Sequence, residues 1–122
     1  MAIASALLVG LVALEHLYFL ILEMFLWSTP GVMKTFGNTK ESAQATRVLA
    51  GNQGLYNGFL VAGLVWGLAH PDPATAVQIR VFFLGCVLVA GLYGGMTAKR
   101  SILWIQGVPG LIALAAVLLA RI

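Results

Sequence analysis

Four long apolar runs, each closed by a cluster of polar, proline or glycine residues, organise the chain. The first extends from Ala2 to Trp27 and stops at Ser28-Thr29-Pro30-Gly31, residues that break helices and favour turns. A connector carrying Lys34, Lys40 and Glu41 follows. Its Asn38-Thr39-Lys40-Glu41-Ser42 stretch offers capping groups to the next helix. The second run reaches Ala69, where His70-Pro71-Asp72-Pro73 ends it. The third begins near Ala74, ends near Thr97 and is followed by Lys99-Arg100. The fourth runs from about Ser101 to Ala120 with Gly107, Pro109 and Gly110 inside it, so a kink is expected there. A membrane-crossing helix needs about 20 apolar residues. The pattern therefore predicts an all-α polytopic membrane protein: four transmembrane helices, over about 3–27, 43–69, 76–97 and 101–120, in an up-down bundle that forms a single domain, 1–122.

Composition narrows the class further. Hydrophobic residues make up 61% of the 122 positions and charged residues 9%, and the mean hydropathy is +0.97. Soluble domains carry about 25% charge, so a water-soluble globule, a disordered segment and a solvated coiled coil are excluded. The net charge of +3 does not indicate nucleic acid, because the seven basic residues mostly flank apolar runs, where they meet anionic membrane lipid. The first run lacks a basic leader and is interrupted by Glu15, His16 and Glu23, so it is read as a retained helix rather than a signal peptide. Cys86 is the one cysteine, which excludes an internal disulfide, and no Cys/His spacing suggests a metal site. Lys34, Lys40, Arg47, Lys99 and Arg100 fall on one side of the four spans, Arg80 and Arg121 on the other. By the positive-inside rule, both termini lie outside the cytoplasm.

Helix faces supply the candidate chemistry. Gly54, Gly58 and Ala62 make one small-residue stripe, and Cys86, Ala90 and Gly94 another, with Gly91 and Gly95 beside it. Such stripes let helix backbones approach, within one protomer or between copies. Ionisable groups inside a span cost about 2.5–3.5 kcal/mol or more on insertion scales, so they normally pair and face protein or water. Glu15, His16, Phe19 and Glu23 share one face of the first helix. Asn52 with Tyr56, and Gln53 with Asn57, form two polar rows on the second, set away from its glycine stripe. Depth along antiparallel helices puts Tyr56 and Asn57 level with Glu15. It puts Glu23, about 12 Å nearer the cytoplasm, level with Arg47 and Asn52. Tyr93 and Gln106 fall near that level on the last two helices. His16 and Glu23 are roughly 10 Å apart along the axis, too far to share one metal ion.

Several stretches together carry a resemblance: Leu14-Glu15-His16-Leu17-Tyr18-Phe19, Leu22-Glu23-Met24-Phe25, Gly51-Asn52-Gln53-Gly54-Leu55-Tyr56-Asn57-Gly58, Val89-Ala90-Gly91-Leu92-Tyr93-Gly94 and Gln106-Gly107-Val108-Pro109. The chain resembles the bacterial integral-membrane family catalogued as domain of unknown function 1304. The resemblance covers nearly its whole length. It implies a compact four-helix membrane protein and no assigned activity. A weaker architectural likeness is to the membrane-associated eicosanoid and glutathione metabolism proteins, trimeric enzymes that bind glutathione from the cytoplasmic side. Arg47 and Asn52 are the matching positions. Leu55 stands where those enzymes have a glutamate, and Phe59 where they have a proline.

The resulting expectation is a homo-oligomeric protein of the bacterial inner membrane, in contact with lipid and not with nucleic acid. It would bind a small polar or amphipathic ligand at Glu15, His16, Glu23, Arg47, Asn52, Gln53, Tyr56, Asn57, Tyr93 and Gln106, in the cytoplasmic half of the bundle. Arg47 would meet an anionic group, and a carboxylate with His16 would accept a proton. Three alternatives stand beside it: a glutathione-transferase-like or isomerase-like membrane enzyme, a proton-coupled carrier or channel, and a structural accessory subunit of a membrane complex. No nucleophile–base pair and no cofactor motif is present in the sequence.

Overall fold

The computed structural model describes residues 2–120 and is helical nearly throughout. Arg121, counted above in the orientation argument, lies outside the described residues. Among these residues there are five helices: α1 (Ala2–Met24), α2 (Pro30–Phe36), α3 (Lys40–Ala69), α4 (Pro73–Thr97) and α5 (Arg100–Ala120). Three of them, α1, α4 and α5, are long and apolar enough to cross a membrane. Their outward faces are apolar as well. Ile3, Leu7, Leu11 and Leu14 on α1, Phe82, Val89 and Met96 on α4, and Leu111 and Leu119 on α5 are all exposed. Rows of exposed large side chains on helices of this length belong in lipid, not water. The chain is a membrane-spanning protein. The expected fourth span, α3, is 30 residues long. It does not reach the apolarity of the other three, because Lys40, Glu41 and Arg47 occupy its start and Asn52, Gln53 and Asn57 its middle.

The helix ends follow local chemistry. The first helix ends at Met24, three residues before the expected Trp27. Pro30, expected only to terminate, opens α2, where its missing N–H costs nothing. The seven-residue α2 ends at Gly37, which adopts a left-handed φ of 70°. There Gly37 N–H donates to Lys34 O and Asn38 N–H to Met33 O, closing the last turn. The predicted cap of α3 forms reciprocally. Ser42 N–H donates to Thr39 Oγ1 at 3.1 Å, and Thr39 N–H donates to Ser42 Oγ at 2.9 Å. Asp72 caps α4, accepting from both the N–H and the hydroxyl of Thr75.

The chain divides into two compact units. One comprises residues 1–14 and 60–122, the other residues 15–59. The core of the first is Val9, Val12, Ala13, Leu64, Leu84, Val87, Ala113 and Val117, each nearly or fully buried. Its α4–α5 seam is built on glycine. A Cβ on Gly91 would stand 2.6 Å from Gly107 N, and one on Gly94 2.9 Å from Ile102 Cγ2. Such contact without side chains is how helices associate where burial from water supplies no driving force. The kink expected in α5 takes the form of a π-helical turn over Leu103–Gly107, in which Val108 N–H donates to Leu103 O. Pro109 follows directly. A proline ring collides with the carbonyl four residues earlier, and widening that turn relieves the collision.

In the second unit, α3 approaches α1 through Gly54 and Gly58. A Cβ on Gly54 would lie 2.6 Å from Met24 Cγ and 3.1 Å from Glu23 Cβ, and one on Gly58 2.9 Å from Leu20 Cδ1. Ala62, the third residue of the expected stripe, is exposed. The connector is tied down by Trp27, whose indole N–H donates to Thr46 Oγ1 at 3.1 Å and whose ring meets Phe36 at 5.0 Å.

Candidate functional site

Helical spacing puts Glu15, His16, Phe19 and Glu23 along one side of α1, and all four are at least half-buried. His16 is fully buried, with its ring edge-on to Phe19 at 5.4 Å. Glu15 Oε1 lies 3.9 Å from His16 Nδ1, which is beyond hydrogen-bonding distance. That oxygen is buried and accepts no hydrogen bond. Eight residues further on, Glu23 accepts a hydrogen bond of 2.5 Å from Asn57 Nδ2 of α3.

The Glu23–Asn57 bond corrects two expectations. Glu23 was matched in depth to Arg47 and Asn52, and Asn57 to Glu15. The close approach at Gly54 instead sets the axial register of α3 against α1 and brings Asn57 opposite Glu23. Asn57 therefore also shares the face of Gly54 and Gly58, rather than standing away from it.

The other predicted residues of α3 turn outward. Arg47, Asn52 and Gln53 are exposed. Tyr56 is 66% exposed, with its ring against Phe59. Asn52 Nδ2 donates within its own helix, to Val48 O at 3.1 Å. Tyr93 and Gln106 belong to the first unit, Tyr93 70% exposed on α4 and Gln106 half-buried on the π turn of α5. The geometry thus sets Glu15 beside His16 and bonds Glu23 to Asn57, and leaves Arg47, Asn52, Gln53, Tyr56 and Tyr93 exposed. No cluster of three or more His, Cys, Asp or Glu side chains able to hold a metal ion occurs among the described residues.

Sequence reasoning overlooked two polar contacts. One is the Trp27–Thr46 bond, whose members lie 19 residues apart with no motif linking them. The other is the bond from Arg80 Nε to Gly67 O, at 2.9 Å. A glycine two residues before the end of α3 was the available sign of it.

Chemically, the α1 face offers carboxylate acceptors and one imidazole in apolar surroundings. A buried acceptor without a donor costs about 1–3 kcal/mol, more when charged. Such a group suits a hydroxyl, amide or ammonium donor brought by another molecule.

The family described as "Protein of unknown function (DUF1304)" matches residues 10–118. The chain is similar to "Uncharacterized protein YpaA" of Lactococcus lactis subsp. lactis (strain IL1403), 34% identical over 116 residues, covering 93% of this chain and 96% of that protein. No solved structure matches.

Proposed function

The chain belongs to the family of proteins of unknown function DUF1304, and we propose that it is a four-helix protein of the bacterial inner membrane that binds a small polar or amphipathic molecule at the carboxylates of α1. The observation that carries the proposal is Glu15 Oε1, buried beside His16 with no hydrogen-bond donor. Polar groups kept unsatisfied inside a membrane-spanning helix are expensive, and a ligand donor would offset that cost. The ligand's hydroxyl or ammonium group meets Glu15, with His16 alongside. Glu23, held by Asn57, fixes the wall below it.

The fourth crossing is assigned to α3, since residues 48–69 carry no charged side chain. The single bundle over 1–122 and termini outside the cytoplasm follow from that assignment and the positive-inside count. A homo-oligomer is part of the same reading. Asn52, Gln53 and Tyr56 point outward from one chain, and polar groups at membrane depth are favoured against a second copy over lipid. On that interface Arg47 would meet an anionic end of the ligand.

The test is thermal melting of the purified protein in detergent, with and without an extract of native lipids and metabolites. Glu15→Gln should fold and assemble as the wild type yet lose the ligand-dependent rise in Tm. An unchanged rise in Glu15→Gln and Glu23→Gln would leave the α1 cluster as a register-fixing network and end the proposal.

A further inference from the structure

At the end of the first unit where α3 turns into α4, the helices line a half-open cavity of about 670 Å³. Pockets of roughly 300–1,000 Å³ accommodate whole small ligands. Its polar lining comes from Ser5, His70, Gln78 and Arg80, and its apolar lining includes Val77 and Val117. It is lined by the start of α1, the start of α4 and the end of α5. The ends of membrane-length helices lie at the depth of lipid headgroups.

Arg80 sits seven residues into α4, about 10 Å from the helix start. Helical side chains lean toward the N-terminus, so its stem runs back toward that interface. It crosses α3 at Gly67, where an added Cβ would stand 2.8 Å from Arg80 Cγ and 3.2 Å from Arg80 N. Nε donates to Gly67 O at 2.9 Å. That bond satisfies one of the carbonyls left open at a helix C-terminus and fixes the plane of the guanidinium. The two terminal nitrogens keep their four N–H donors. No carboxylate lies within salt-bridge distance of Arg80 among the described residues. Asp72, the acid nearest in sequence, is already engaged twice by Thr75.

A half-buried guanidinium, oriented by a backbone carbonyl and lacking a carboxylate partner among the described residues, lines a cavity with both polar and apolar walls. We propose that this cavity binds the phosphate group of an amphipathic molecule that carries no cation of its own to neutralise it, with Arg80 as the counter-charge and the apolar wall against its hydrocarbon. Bidentate N–H donors match phosphate oxygens. Gly67 is a positioning residue, leaving room for the arginine stem. This site is distinct from the Glu15 cluster and does not depend on it.

The experiment uses the full chain, purified and titrated with phosphatidylglycerol, phosphatidylcholine and inorganic phosphate, with binding read by native mass spectrometry and by Tm. The wild type should bind phosphatidylglycerol roughly ten- to a hundred-fold more tightly than phosphatidylcholine, and Arg80→Gln should erase that preference. Ala74→Trp, which fills the cavity and keeps the charge, should erase it too. It decides the matter alone if Arg80→Gln fails to fold. Unchanged preference in either folded variant overturns the proposal. Inorganic phosphate binding as tightly as phosphatidylglycerol overturns its amphipathic part and assigns the site to a free anion. Loss of binding on Glu15→Gln with retention on Arg80→Gln would likewise refute it.

Discussion

Gly91 of α4 and Gly107 of α5 meet backbone to backbone: a Cβ on Gly91 would fall 2.6 Å from the Gly107 nitrogen and 2.7 Å from its Cα. The reverse does not hold. A Cβ on Gly107 finds nothing closer than Leu103 Cδ1 at 3.4 Å. The crossing therefore needs a glycine on one side only.

That asymmetry is measurable. Gly91→Ala should destabilise the protein by about 1–3 kcal/mol through overpacking against main chain that cannot yield. Gly107→Ala should change stability much less. Reversible unfolding in mixed micelles checks the ranking, and equal losses would contradict the geometry.

The bond from Asn57 to Glu23 joins two helices at a half-buried position. Asn57→Leu should cost about 1–3 kcal/mol by leaving a carboxylate oxygen without its donor. Glu23→Gln should cost less, since an amide still accepts. A double-mutant cycle over the two positions should give a coupling of at least about 0.5 kcal/mol. A coupling indistinguishable from zero would mean that the two side chains do not meet.

Asp72 titrates in the cap of α4. The hydrogen bonds from Thr75, first the hydroxyl and then the backbone N–H, hold its carboxyl below the ordinary value of 3.8, and His70 adds to the effect. The sign follows from linkage: the folded state favours the ionised form. The capping contribution is thus complete above pH 3.8 and is lost as pH falls below it toward the lowered folded value. Asp72→Asn should remove that acid-limb dependence in a plot of Tm against pH, whereas wild-type protein should show it.

Membrane orientation is open to labelling. In a Cys86→Ala background, Ser28→Cys and Ala74→Cys both present exposed positions. An impermeant thiol reagent added to intact cells should modify Ala74→Cys and spare Ser28→Cys. The opposite pattern would reverse the proposed topology.

Much of this fold was legible because proline, glycine and capping residues act locally. The Thr39–Ser42 cap of α3 depends on residues within three positions of each other, and so does the Asp72–Thr75 cap of α4, although Asp72 and Pro73 read in the sequence only as the stop to the second run. The same proline chemistry misled at Pro30, which ends nothing itself but opens a helix too short to show a hydrophobic period. In the candidate site, periodicity correctly gathered Glu15, His16, Phe19 and Glu23 on one face of α1. It could not supply the slide of α3 along α1. Five residues separate Asn52 from Asn57, about 7.5 Å of axial shift, and that distance was decided by where Gly54 lets the two backbones touch.

The π turn of α5 has an evolutionary consequence. Along the seam with α4, Ile102 sits against Gly94, Leu103 against Gly95, and Gln106 and Gly107 against Gly91. The turn between them closes through the bond from Val108 N–H to Leu103 O, five residues back, and so holds one residue more than an ordinary α turn. Loss of one residue between 103 and 106 would convert this π turn into an ordinary α turn and turn neither half of α5 away from its neighbour. The same loss between Gly110 and Val117 would rotate everything beyond it by about 100° and pull Val117 out of the core. Chain-length variation among related sequences should therefore concentrate in this one wide turn, which serves as a slot for a spare residue.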